Sequence, residues 1–108
     1  MRDGLYKISF QTQMGTGSGV IVLNAGRVTG GDNAAYYVGT YFMIGDRFTV
    51  DVEVHHHTSA PGLRLLFAAE SFRLKLEGDG VGDEAIMSGS SPDAPDVQFS
   101  AVLQRLAE

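Results

Sequence analysis

Hydrophobic and polar positions alternate along most of this chain. In residues 48–55 every even position is Phe or Val, and every odd position is polar. Successive side chains of a β-strand point to opposite faces, so this run predicts a strand with one buried face and one hydrated face. Val52 is expected inside and Thr49 outside.

The same period of two recurs between glycine-rich or polar stretches and predicts eight strands. They are expected at residues 5–13, 18–23, 27–31, 36–43, 47–57, 72–77, 83–88 and 97–106. The connecting loops are expected at residues 15–17, 24–26, 45–46, 78–80 and 90–95, with a three-residue hairpin loop at 24–26. Residues 63–70 fit either a short helical turn or an irregular strand, and the last segment also has a spacing that suits a helix.

Eight strands with turn signals every few residues are typical of an all-β domain, either an up-and-down barrel or a sandwich. The 108 residues suit one domain covering residues 1–108. Frequent glycines and β-branched residues fit tight turns between strands.

Charge and cysteine content narrow the function classes. Eight Lys and Arg against thirteen Asp and Glu give a net charge of −5, which disfavours contact with nucleic acid or anionic membrane surfaces. The chain has no cysteine, no apolar run long enough to span a bilayer and no signal-peptide core at Met1. We therefore expect a cytoplasmic protein.

Two motifs suggest chemistry at first sight. Gly15-x-Gly17-x-Gly19 resembles a phosphate-binding loop, but an apolar strand rather than a helix follows it, so a glycine-rich hairpin or bulge is the better interpretation. His55 and His57 share a strand face with Glu53 and have the spacing of metal ligands, yet no second ligand cluster is visible, so we favour a polar strand end. We expect no metal, no cofactor and no catalytic constellation, hence no enzyme.

A dense aromatic segment at residues 36–43 has two open interpretations. It either lines a ligand cavity or a dimer face, or it provides ordinary core packing. An eight-stranded barrel interior is either filled by side chains or able to hold one small ligand, and the sequence does not choose between them.

Two stretches resemble a known family. The chain opens with Asp3-Gly4-Leu5-Tyr6-x-Ile8-x-Phe10, and Val28-Thr29-Gly30-Gly31-Asp32 is followed by Tyr37-x-Gly39. Over about residues 3–40 this is similar to the GrlR family, small proteins described as negative regulators of type III secretion. The resemblance implies a lipocalin-like barrel that forms a homodimer, and it implies that the last segment is a strand.

The resemblance also implies a function. The family's best-known member binds a transcriptional activator through four acidic residues after the fourth strand. The equivalent positions here are Met43, Ile44, Gly45 and Asp46, a candidate partner-binding loop in which only Asp46 is acidic. We expect a non-enzymatic regulator that binds a protein, with a small apolar-ligand carrier or sensor as the alternative.

The motif Gly30-Gly31-Asp32 has a structural interpretation. The two glycines are expected to adopt backbone angles closed to other residues, and Asp32 to hydrogen-bond nearby amides. We therefore interpret the motif as a turn that specifies the fold.

Overall fold

The structure, a computed structural model, describes residues 1–13, 15–58 and 71–108. Each strand pairs antiparallel with the next, and the last pairs with the first, so the sheet closes into an up-and-down barrel. The prediction of an all-β barrel of about eight strands is confirmed, and the closed ladder excludes a sandwich. The strands are β1 (Gly4–Thr12), β2 (Gly15–Asn24), β3 (Arg27–Gly31), β4 (Ala35–Ile44), β5 (Arg47–His56), β6 (Ser71–Val81), β7 (Glu84–Ser91) and β8 (Ala94–Ala107).

The alternation in β5 sorts its side chains between the interior and the outer surface as predicted. Phe48 and Val52 are buried, at 0% and 7% exposure. Thr49 lies on the outer face, but its exposure is only 8%, so the expectation that it is hydrated is wrong. The register places Thr49 between Phe42 of β4 and Glu77 of β6, whose larger side chains flank it.

The last segment is a strand. Residues of β8 pair with β7 on one side and with β1 on the other, which excludes the helical alternative. The predicted segment 63–70 lies outside the described residues. The described part of the chain contains no helix long and apolar enough to cross a membrane.

The connection between β2 and β3 is shorter than predicted. Asn24 belongs to β2 and pairs with Arg27, so the loop is the two residues Ala25 and Gly26. Both have positive φ, 51° and 85°. Two successive residues with positive φ match the right-handed twist of the flanking strands, which explains the tight hairpin.

Two predicted loops are strand in the structure. Residues 15–17 begin β2, residues 78–80 belong to β6, and the turn after β6 is at Gly82–Asp83 instead. The predicted loop at residues 90–95 is present but shorter, because only Pro92 and Asp93 lie between β7 and β8. The glycines that suggested loops are needed within the ladder: a Cβ on Gly78 would lie 1.9 Å from the carbonyl oxygen of Ile86.

The two ends of the barrel differ. One end carries the turns at residues 25–26, 45–46 and 82–83, and here it is called the floor. The N-terminal segment crosses the floor: Arg2 forms an ion pair of 2.7 Å with Asp83, and Asp3 accepts hydrogen bonds from Ala25 N and from the Tyr41 hydroxyl. The Arg2 guanidinium holds the pKa of Asp83 below its usual range. The opposite end, where β3 meets β4 and β7 meets β8, is called the mouth.

Candidate functional site

The barrel interior contains a cavity of about 270 Å³ on the mouth side. Its wall is mainly aliphatic and aromatic. The side chains that line it include Ile8, Phe10, Ile21, Val28, Tyr37, Val50, Val52, Val54, Phe72, Leu76, Met87, Phe99 and Leu103. A concave apolar space with few polar groups is the usual form of a small-molecule site.

The floor side of the interior is packed, which sets the depth of the cavity. Tyr6, Leu23 and Phe48 are each 0% exposed and do not line the cavity. The Tyr41 ring lies 5.6 Å from the Phe48 ring, and the Tyr6 hydroxyl donates to Arg2 O at 2.6 Å. The interior therefore divides into a solid lower half and a hollow upper half.

Asp32 stands at the mouth, directly after β3, and three hydrogen bonds hold it. Its Oδ1 accepts from the backbone N–H groups of Ala34 and Ala35, each at 2.8 Å, and its Oδ2 accepts from the Tyr37 hydroxyl. The two hydrogen bonds from backbone amides are those that the sequence predicts for Asp32. Burial, and then the hydrogen bond to Asp32, raise the pKa of Tyr37 well above its usual value, so this hydroxyl remains a donor.

The glycine pattern of β2 makes room for side chains from other strands. A Cβ on Gly17 would lie 2.6 Å from the Phe10 ring, and a Cβ on Gly19 would lie 3.1 Å from the Tyr37 hydroxyl oxygen. No helix follows these glycines, so the phosphate-loop interpretation has no structural basis. Glycines at alternate positions of a strand leave one face bare, and this is the signal that predicts close approach by aromatic residues.

Gly30 and Gly31 are strand residues of β3, not turn residues, and neither has a positive φ. The expectation of unusual backbone angles is therefore wrong. The reason for glycine is space: a Cβ on Gly30 would lie 2.2 Å from Val20 O, and one on Gly31 would lie 2.7 Å from Ala35 O. Both contacts are closer than real side chains tolerate.

The three histidines point in different directions. His55 stacks on Tyr36 with ring centroids 5.2 Å apart, and its Nε2 lies 3.6 Å from Glu53 Oε2 on the outer surface. His56 lines the cavity. β5 ends at His56, one residue earlier than predicted, so His57 follows the strand. The ring nitrogens of His57 contact Thr58 Oγ1 and Asp32 O. Within residues 1–13, 15–58 and 71–108 no group of three or more His, Cys, Asp or Glu side chains could hold a metal ion.

The aromatic segment of β4 serves both faces of the sheet. Tyr37 and Tyr41 point into the barrel, whereas Tyr36 and Phe42 are 44% and 55% exposed on its outer surface. On the inner face each interpretation applies to one residue, since Tyr37 lines the cavity and Tyr41 packs against the core.

The candidate partner-binding loop is only partly a loop. Met43 and Ile44 belong to β4, and the turn is Gly45–Asp46, where Gly45 has a φ of 60°. Met43 packs against the core, while Ile44 is 72% exposed. The backbone oxygen of Asp46 accepts a hydrogen bond of 2.8 Å from Gly80 N.

Comparison with known proteins adds no family. No family model matches the chain, and no curated protein matches it. The resemblance to the GrlR family therefore stays a prediction.

Proposed function

We propose that this protein is a non-enzymatic carrier or sensor of a small apolar molecule, which it binds inside the barrel. The observation that carries the proposal is the apolar cavity of about 270 Å³ above a packed floor. A dry cavity of about 150 Å³ binds benzene, so this one has room for a ligand of about ten heavy atoms.

Filling the cavity tests this proposal. Val52→Phe adds a ring to the cavity wall, and we expect it to weaken binding of naphthalene, a neutral probe of suitable size, by about tenfold or more. Naphthalene fluorescence titration measures this directly. Because the new ring occupies empty space, the variant is expected to melt close to the unmodified protein.

The matched control is Val22→Phe, which places the same ring on the outer surface, where Val22 is 40% exposed. It is expected to bind naphthalene normally. Failure of the unmodified protein to bind naphthalene, or equal binding by Val52→Phe, contradicts the proposal. Native mass spectrometry of protein purified from its source then identifies the natural occupant by mass.

A second candidate function is regulation through a protein partner, here proposed as a cytoplasmic homodimer that binds a transcriptional regulator. The supporting observation is the exposed apolar pair at the floor end of β4, where Phe42 and Ile44 are 55% and 72% exposed. Large exposed apolar side chains close together favour protein contacts. The kind of partner, a transcriptional regulator, is proposed from the resemblance of residues 3–40 to the GrlR family.

A pulldown from source-cell lysate tests this second function. We expect a transcriptional regulator among the recovered proteins, and we expect Ile44→Asp to abolish its recovery by placing a charge in the apolar contact. Val81→Asp is the control, since Val81 is 70% exposed at the end of a different strand. Recovery of no such regulator, or its retention by Ile44→Asp, counts against this function.

A further inference from the structure

We propose that the cavity selects ligands whose polar head is a hydrogen-bond donor without negative charge, such as an alcohol or an amine, and that Asp32 is the residue that sets this selection. The inference rests on the proposed ligand-binding function and adds the chemical class of the ligand. It depends on which groups stand at the mouth and which are missing from the described part of the cavity wall.

Both carboxylate oxygens of Asp32 accept hydrogen bonds. All three groups that bond to it are donors: two backbone N–H groups and the Tyr37 hydroxyl. A carboxylate offers about four acceptor positions, and here two contacts fall on Oδ1 and one on Oδ2. Oδ2 therefore has room for one more donor, and Asp32 itself lines the cavity.

The position of Asp32 is held rigidly, which favours recognition. A Cβ on Gly19 would lie 3.2 Å from the Asp32 Cβ and 3.1 Å from the Tyr37 hydroxyl oxygen, so both residues pack closely against Gly19. The Asp32 backbone also exchanges bonds with its surroundings: its N–H donates to Ala35 O at 2.9 Å, and its carbonyl contacts His57 Nε2 at 3.0 Å. An acceptor fixed in this way loses little conformational freedom when a ligand binds.

The described wall of the cavity supplies no fixed positive charge. Among the described lining residues the ionisable side chains are Asp32, Tyr37 and His56, and none is Lys or Arg. The whole chain carries a net charge of −5. A carboxylate-headed ligand would therefore place a second negative charge near Asp32 in an apolar surrounding, where like charges repel more strongly than in water.

Three probes with the same chain length separate the head groups: octanol, octylamine as its ammonium form, and octanoate. Isothermal titration calorimetry on the unmodified protein is expected to show octanol and octylammonium binding about tenfold or more tightly than octanoate. The comparison of ammonium with carboxylate is the decisive one. Both ions lose their hydration on entering the cavity, so the sign of the surrounding charge decides the order.

Asp32→Asn assigns the effect to this residue. The amide oxygen can still accept from Ala34 and Ala35, and we expect octanoate to gain about tenfold in affinity while octylammonium loses its advantage. Asp51→Asn is the control, because it removes the same charge from an exposed position on the outer face of β5 and should leave the order unchanged. The wild-type comparison of the two ions stands by itself if Asp32→Asn does not fold.

Each outcome decides the question. Octanoate binding as tightly as octylammonium overturns the selection but leaves the ligand-binding function in place. A preference for octylammonium that persists in Asp32→Asn, or that disappears in Asp51→Asn, overturns the role of Asp32. If none of the three probes binds although naphthalene does, this inference is overturned and the proposed function stands. If naphthalene also fails to bind, both are overturned.

Discussion

Replacing Phe48 by alanine is expected to destabilise the barrel by about 3–5 kcal/mol, the range for removing a large aromatic side chain from a core. Phe48 is 0% exposed and packs against Tyr41 in the solid lower half of the interior. The turns and the N-terminal segment surround Phe48 at the floor. The floor therefore has little freedom to collapse into the cavity that the missing ring would leave. Since small domains have only about 5–15 kcal/mol of stability, this variant should lose much of its total. Urea denaturation followed by circular dichroism measures the change.

Phe42 offers a control of the same residue type. It lies on the neighbouring strand with its side chain on the outer surface, 55% exposed, and its register partner Thr49 is next to Phe48. Phe42→Ala should change the free energy of unfolding by less than about 1 kcal/mol. Equal losses for the two variants would show that the assignment of inner and outer faces in β4 and β5 is wrong.

Gly30→Ala is the second variant for which a large effect is expected. The new Cβ would lie 2.2 Å from Val20 O, 2.7 Å from Ile21 Cα and 2.9 Å from Ile21 Cγ2. The first two of these atoms are backbone, so β2 and β3 must separate to admit a methyl group. Overpacking of this kind costs about 1–3 kcal/mol or more. In a domain of this size each kcal/mol of lost stability lowers Tm by about 4 °C or more. Thermal unfolding should therefore show a decrease in Tm of several degrees.

Thr29→Ala provides the comparison. Thr29 is the preceding residue of β3, exposed on the outer face between Val22 and Val38. This variant also introduces an alanine, but it creates no new contact. Its Tm should therefore be close to that of the unmodified protein. A Gly30→Ala variant as stable as Thr29→Ala would mean that the two strands are further apart than the structure places them.

The period of two was sufficient to predict the number of strands and the direction of most side chains. In β5 each inward residue was assigned correctly, because one face of the strand is buried and the pattern reflects it. What the pattern missed was local crowding on the outer face: Thr49 is covered although its position is outward. Burial of a short side chain depends on its neighbours across the sheet, which a single strand does not show.

Glycine was the main source of error along the chain. The glycines at residues 15–17, 30–31 and 78–80 suggest turns, yet they are strand residues. At Gly17, Gly30, Gly31 and Gly78 a neighbouring strand or ring approaches too closely for a side chain. Gly26 does lie in the predicted hairpin loop, because its positive φ is a local property of the turn. Close approach at a glycine depends on which residue of the neighbouring strand lies opposite it. It can therefore be predicted only when the register of the two strands is known.

The candidate site was only partly predictable. The hydrogen bonds of Asp32 to the amides at Ala34 and Ala35 follow from its place after a strand, since aspartate commonly bonds to the backbone two or three residues further on. Its bond to Tyr37 and its position at the mouth of a cavity depend on how β2, β3 and β4 curve together. The volume of the cavity likewise depends on the whole barrel.

The ladder that joins β1 to β8 has a consequence for how the protein is made. Residues 5–11 find their partners among residues 100–107, near the opposite end of the chain. During synthesis β1 therefore lacks one neighbour until β8, the last strand of the barrel, has been translated. Contacts so distant in sequence form slowly, and an unpaired strand invites association with other chains in the meantime. Newly made copies should accordingly depend on molecular chaperones more than a helical domain of similar length does.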